Sequence, residues 1–337
     1  MGFPSLRHPI VLAPLAGGPS TPALAAAVTR AGGLGFLAAG YLSAEALDRR
    51  IHETRALTGG ALGVNLFCLR PRPVDAAAIA AYAAELEPEA RGLGVALGEP
   101  VFEDDEWGDK LAVVREAQVE VVSTTFDCPD AEVVGSLQET RASVWVTVCS
   151  PKEAARAQAV GADAVVVQGS EAGGHRGSFD DAGDDLPLFE LLQLVATEVE
   201  LPLVAAGGIV DGAGIAAALA AGARAAQLGT AFLLCPEAGT HDAHRRALAA
   251  GGATAVTRAF TGRRARGIVN EFMRRHPDAP AAYPQVHHLT APLRAAARNA
   301  GDADSFNLWA GEGLRGVREL PAASLVAQLA AEAAAAS

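Results

Sequence analysis

The chain has 337 residues, a formal charge of -12 at pH 7, half its residues hydrophobic and few aromatics. That length suits one large α/β barrel with an appendage, or two domains, with ample material for a core. The acidic balance, with lysine only at 110 and 152, excludes a basic groove for nucleic acid and a surface for anionic membrane.

No run is apolar and long enough to span a bilayer; the best, residues 215–235, contains Arg224 and Gln227. Residues 10–16 are apolar but short and broken by Pro14, so no secretory signal is expected. Cys68, Cys128, Cys149 and Cys235 have neither CxxC nor zinc spacing. They read as buried thiols of a reducing, cytoplasmic protein.

Apolar runs of strand length recur at 10–13, 35–38, 62–66, 119–124, 144–149, 164–168, 203–206 and 225–229. Ala-rich helical runs alternate with them at 22–31, 44–57, 75–86, 131–141, 151–160, 187–199 and 212–221. Ser43, Ser150 and Asp211 stand where an N-cap would, Pro22 and Pro151 fall in first turns, and Gly161 and Gly222 follow helices. Strand-helix alternation predicts a parallel sheet, and eight strands fit a (β/α)8 barrel. An open doubly wound sheet is the alternative, but Ala16-Gly17-Gly18-Pro19 supplies no dinucleotide fingerprint. The expected organisation is a barrel over 1–235, a smaller and mainly helical cap over the barrel mouth at 236–320, and an Ala-rich tail at 321–337. Residues 91–110 break the rhythm and predict a short strand pair or a mobile lid, with 103–106 as a solvated acidic face.

In a barrel every strand ends at the same mouth. Asn65, Gln168, His175, Gly207, Gly208, Gln227 and Gly229 all fall at or just past such ends, so they are expected to converge. The richest stretch is Gln168-Gly169-Ser170-Glu171-Ala172-Gly173-Gly174-His175-Arg176-Gly177. Glycines let the backbone approach a ligand, and histidine suits proton transfer near neutral pH. The competing reading is a tight strand-to-helix turn with a solvated histidine. Asn65 and Gln168 carry amides that could meet a polar ring edge or cap a local turn. Gly207-Gly208 and Gly229-Thr230 follow the seventh and eighth strands, where barrels hold phosphate on loop N–H groups. His241 and His244 read as a solvated helix face, since no further metal ligands are evident. His287 and His288 are candidates for the substrate pocket, and Arg263 and Arg266 could clamp an anion or brace the cap by ion pairs, with bracing expected.

The glycine-rich stretch resembles the signature of the nitronate monooxygenase family, once called 2-nitropropane dioxygenases. Further likenesses run in order from about residue 9 to 313. They are Ala13-Pro14-Leu15-Ala16-Gly17-Gly18, Ala31-Gly32-Gly33-Leu34-Gly35, Gly63-Val64-Asn65-Leu66-Phe67, Ala205-Ala206-Gly207-Gly208-Ile209 and Gln227-Leu228-Gly229-Thr230-Ala231-Phe232. Thr261-Gly262-Arg263, Ala265-Arg266-Gly267 and Trp309-Ala310-Gly311 complete the set. The resemblance implies an FMN-dependent (β/α)8 oxidoreductase that oxidises alkyl nitronates or nitroalkanes with O2. His175 would be the base, and Gly173, Gly174, Asn65, Gln168, Gln227 and the two glycine pairs with Thr230 would hold FMN. Glu312 departs from the family's usual Gln and puts the substrate or the local geometry in doubt. A homodimer is an open expectation. Two rivals remain: an NAD(P)H-dependent flavin reductase for an enoyl thioester or quinone, and a non-redox barrel for a phosphorylated metabolite.

Overall fold

The structure, a computed structural model, describes residues 2–181, 183 and 185–336; Met1, Ala182, Asp184 and Ser337, which fall in the expected barrel and tail, lie outside the described residues. In chain order the strands are β1 (Ile10–Leu12), β2 (Gly35–Ala38), β3 (Leu62–Phe67), β4 (Val121–Thr125), β5 (Ser143–Val148), β6 (Ala164–Gln168), β7 (Gly174–His175), β8 (Leu203–Ala206), β9 (Ala225–Leu228), β10 (Thr254–Thr257) and β11 (Ala265–Ile268). Eight of them form one parallel sheet in the order β1-β9-β8-β6-β5-β4-β3-β2. The sheet closes on itself between β1 and the entry to β2: Leu12 N–H donates to Leu34 O and Leu34 N–H to Ile10 O, both at 2.9 Å. This is a (β/α)8 barrel, as expected.

The strands are continuous apolar runs because both of their faces are covered. Val165 and Val167 of β6 pack outward against the helices. Ala164 and Val166 point into the barrel, which Val11, Phe36, Val121, Trp145 and Val204 fill. Phe3 stacks on Trp145 at a centroid distance of 5.1 Å.

The helices are α1 (Pro22–Arg30), α2 (Ala44–Leu57), α3 (Ala76–Gly92), α4 (Trp107–Glu116), α5 (Ala131–Glu139), α6 (Pro151–Ala159), α7 (Leu188–Glu198), α8 (Gly212–Ala220), α9 (Asp242–Ala250), α10 (Glu271–Arg275), α11 (Gln285–Ala300) and α12 (Ala322–Ala336). Ser43, Ser150 and Asp211 cap α2, α6 and α8, their side chains accepting from Ala46, Glu153 and Gly214 N–H.

Three expectations change. The helix expected at 75–86 is not the barrel helix after β3. Its Ile79, Tyr82 and Leu86 pack with Phe260, Phe272, Val286 and Leu289 in a second core beyond the barrel. The barrel position is taken by α4, whose Val114 joins the main core. Residues 91–110 contain no strand pair. Gly98 N–H donates to Leu289 O at 2.9 Å, and Asp105 and Glu106 accept from Tyr41 and Ala44 N–H at 3.0 and 2.7 Å. Two of the acidic residues therefore tie the α4 entry to the β2 exit, and Lys110 pairs with Asp105 at 2.7 Å. Finally, the Ala-rich end forms α12, with Leu325, Val326 and Leu329 buried in the barrel's main core. It packs on α1 and α8 and stands in the place of the eighth barrel helix.

The chain between β9 and α12 holds α9, α10 and α11 and also a sheet. There β10, β11 and β7 pair antiparallel, so the loop carrying His175 is a strand of that sheet. Among the described residues no helix is long and apolar enough to cross a membrane. All four cysteines are free and buried.

Candidate active site

A cavity of about 320 Å3 lies at the C-terminal ends of the barrel strands. Asn65, Gln168, Gly173, Gly174, His175, Gly207, Gly208, Gln227, Gly229 and Thr230 all line it, so residues far apart in sequence meet at one mouth. Tyr41, Phe67, Phe126 and Trp309 supply its aromatic wall.

The 168–177 loop is held from within. Gln168 Nε2 donates to His175 O at 3.1 Å, while its Oε1 accepts from Gly177 N–H at 2.8 Å and from the Cys149 thiol at 3.3 Å. The Gln168 amide thus closes the loop. Arg176, 1% exposed, donates to Gly169 O at 2.5 Å and Gln168 O at 3.2 Å and pairs with Asp185 at 3.0 Å. Glu171 accepts from Leu188 N–H at the start of α7. A side chain on Gly173 would meet Gly311 N at 2.4 Å, so only glycine lets the two backbones touch.

His175 sits on β7 opposite Ala265 of β11. Its Nε2 is 2.9 Å from Thr261 Oγ1. Its ring lies 5.4 to 5.7 Å from those of Trp309, Phe126 and Tyr283. Burial among these rings lowers its pKa to about 3, with Arg263 and Arg294 adding to the shift, so the imidazole is neutral. Arg263 lies over the Phe126 ring at 4.4 Å and donates to Arg176 O at 3.0 Å and to Ser178 O.

Asn65 is 2% exposed. Its Nδ2 donates to Ser123 O, Ser123 Oγ and Thr125 Oγ1 at 3.3, 2.9 and 3.0 Å, which leaves Oδ1 as the free end of the amide. At the other side, Gly207 and Gly208 take φ of +126° and +70°. Thr230 opens a turn of 3-10 helix (Thr230–Phe232), and its Oγ1 accepts from Gly311 N–H at 2.9 Å. Neither lysine serves this loop pair: Lys110 is committed to Asp105, and Lys152 lies in α6. An anion there would be met by backbone N–H groups.

Sequence reasoning missed Tyr41 and Phe126. Both follow barrel strands at positive φ, +69° and +84°. A bulky residue in that region signals a side chain aimed on purpose. His241 and His244 were expected on a solvated face; instead both line the cavity, and His244 is 7% exposed. The α9 face turns inward because Leu233, Leu234 and Phe306 pack around it. No group of three or more His, Cys, Asp or Glu among the described residues could hold a metal. His287 does not line the cavity but stacks on Tyr41 at 4.3 Å, with Arg294 donating to its Nδ1 at 3.1 Å. Arg266 braces the cap: it donates to Ser170 O at 3.0 Å and pairs with Glu312 at 3.1 Å. Glu312 is therefore tied down beside the cavity, and only its neighbours Gly311 and Gly313 line it.

Comparison with known proteins agrees with this geometry. The family model for nitronate monooxygenase matches residues 5–332. The nitronate monooxygenase of Paraburkholderia phytofirmans is 44% identical over 345 residues, covering 96% of this chain and 92% of its own. That of Pseudomonas aeruginosa is 43% identical, covering 97% and 96%. Among solved structures, the nitroalkane oxidase from Streptomyces ansochromogenes superposes with a TM-score of 0.96 at 51% identity, over 98% of this chain and 97% of that one. FabK from Thermotoga maritima superposes at 0.77 with 28% identity, over 98% and 94%. Carrying the barrel, the glycine-rich mouth and a match along nearly its whole length, the chain belongs to the nitronate monooxygenase family, a family of flavin-dependent oxidoreductases.

Proposed function

We propose that the chain oxidises alkyl nitronates with O2 and that its flavin is FMN. The observation that carries this reading is the neutral His175 set in an aromatic wall, within the fields of Arg263 and Arg294, above glycine loops suited to a phosphate. A nitronate is a carbon acid that has already lost its proton, so buried cations favour it over the neutral nitroalkane. When bound, FMN would take the electrons of the substrate and pass them to O2. Gly207-Gly208 and Gly229-Thr230 would receive its phosphate, with Asn65 and Gln227 at the polar edge of the ring and Gly173-Gly174 along the loop. Gln168 would act through the loop it closes.

His175 would direct the substrate. If Thr261 turns its hydroxyl hydrogen to Arg263 O, 3.3 Å away, it accepts from His175 Nε2–H and leaves Nδ1 with the lone pair. Nδ1 is then the base for a neutral nitroalkane. With a conjugate acid near pKa 3 that step is slow until an anion in the cavity raises the basicity. The assignment makes nitronates the better substrates and nitroalkanes the poorer ones. Relatives bearing the names nitronate monooxygenase and nitroalkane oxidase support both substrate classes.

The test is the purified protein itself. It should be yellow, release FMN and not FAD on denaturation, and consume O2 with an alkyl nitronate. A colourless protein that FMN cannot reconstitute would overturn the cofactor. Fast flavin reduction by NAD(P)H with no nitronate turnover would move the reading to a reductase.

A further inference from the structure

We propose that the cavity has a second polar end, built by His244, Arg298 and Asn307, that binds a hydroxyl-bearing oxyanion such as hydrogen phosphate or a phosphorylated polyol. All three residues line the cavity. Trp309 lines the same cavity, and its indole is 5.4 Å from the His175 ring.

Two independent observations carry the assignment. His244 is 7% exposed, and its Nε2 is buried without a hydrogen-bond partner. An orphaned buried acceptor or donor is costly, and a ligand in the cavity would supply the missing bond. Arg298 is the second. Its guanidinium lies 5.3 Å from the Phe306 ring, and no carboxylate among the described residues pairs with it. Its place in the last turn of α11 is favourable for a cation, but that accounts for its backbone position and not for a guanidinium at the cavity wall.

The chemistry of the three groups is complementary to one ligand. Arg298 offers a planar fork of N–H donors that matches an oxyanion. Asn307 Oδ1 accepts from Arg294 at 3.4 Å, which leaves its NH2 to donate. His244 is neutral: burial, with Arg298 and His241 adding to the shift, lowers its pKa to about 4, so these groups share one field. A neutral imidazole carries one N–H and one lone pair, so the unpartnered Nε2 could meet either the hydroxyl or an anionic oxygen of such a ligand. Two sources carry that chemistry: a separate ligand entering beside the flavin, or the flavin's own phosphate, placed here instead of on the glycine loops of the proposed function.

The experiment compares wild type with Arg298→Gln, His244→Leu and Arg298→Lys. It reads melting temperature in potassium phosphate against potassium chloride at equal ionic strength, and the affinities of the stripped proteins for FMN and for riboflavin. If the oxyanion is a separate ligand, tenfold saturating phosphate raises the Tm of the flavin-loaded wild type by about 2 °C. Arg298→Gln and His244→Leu lose that rise, Arg298→Lys regains part of it, and the FMN-to-riboflavin preference is unchanged. If the oxyanion is the flavin's phosphate, free phosphate does nothing to the loaded protein, and Arg298→Gln lowers the FMN-to-riboflavin preference about tenfold or more. Wild type and variants alike in both measurements would overturn the proposal.

Discussion

His175 is presented on a two-residue strand, β7, stapled by Gln168 on one side and β11 on the other. His175→Asn keeps a side chain of similar reach without a base. We expect it to retain FMN and to slow neutral nitroalkanes by about 100- to 10,000-fold while nitronates lose far less. Steady-state O2 consumption on the two forms of one substrate measures this; equal losses would leave His175 an orienting role only. What the sequence could not show at this scale was burial. His241 and His244 are spaced three apart at a helix start, a pattern as common on wet faces as on dry ones, and only the packing of Phe306 and Leu233 beside α9 turns them inward.

At the scale of elements, the loops proposed to hold phosphate and α12 give the sharper tests. Gly208→Asp places a carboxylate where phosphate is proposed, but it also forces φ +70° on a residue with a Cβ. Gly161→Asp carries a like strain of ~1–2 kcal/mol at φ +86°, in open space before β6 and far from the mouth. Gly208→Asp should strip the flavin while Gly161→Asp keeps it, read as bound flavin per chain by absorbance. Equal retention would move the phosphate elsewhere. For α12, Leu329→Ala removes a fully buried side chain from the main core. We expect a loss of ~2–5 kcal/mol and a lower Tm by thermal denaturation; an unchanged Tm would mean that α12 does not close the barrel. Its alanine-rich composition gave helix but not partner. The same holds for α3, whose periodicity was legible and whose defection from the barrel to the second core was not. A helix pattern reports one apolar face and is silent on which surface covers it.

Across the whole molecule, buried neutral histidines couple stability to pH. The pKa values of His175, His244 and His287 are lowered by burial to about 3, 4 and 2. Unfolded, each takes up a proton near pH 6.5; folded, each resists until the pH is far lower. The unfolded chain therefore binds more protons below pH 6.5, and stability falls as pH falls through that window. We expect Tm to drop by several degrees from pH 7 to pH 5, above the range where most carboxylates titrate. His287→Asn should flatten the drop, and an equally steep profile in that variant would refute the assignment of its charge state. One clamp spans the cap: His276 bonds Glu85 at 2.5 Å and Glu89 at 2.8 Å, joining the end of α10 to α3. His276→Ala removes both bonds and sets two carboxylates side by side without their shared partner. The cap should then become sensitive to proteolysis before the barrel does, with cleavage mapped by mass spectrometry.

What is periodic or local could be read from the residues in order: eight barrel strands, the capping of α2, α6 and α8, and a set of polar and glycine residues at strand ends. These are legible because a strand's apolar run and a cap's hydrogen bond involve residues only a few positions apart, and because closing a barrel brings strand ends together whatever lies between them. Tertiary structure alone decided which helix serves which core, that β7 joins a sheet with β10 and β11, and that Gln168 spends its amide on its own loop. It also decided which histidines are buried and which arginines stand beside them. Each of those outcomes depends on contacts across tens to hundreds of residues. There the stabilising partner is chosen by shape and by the exclusion of water, and no local pattern records it.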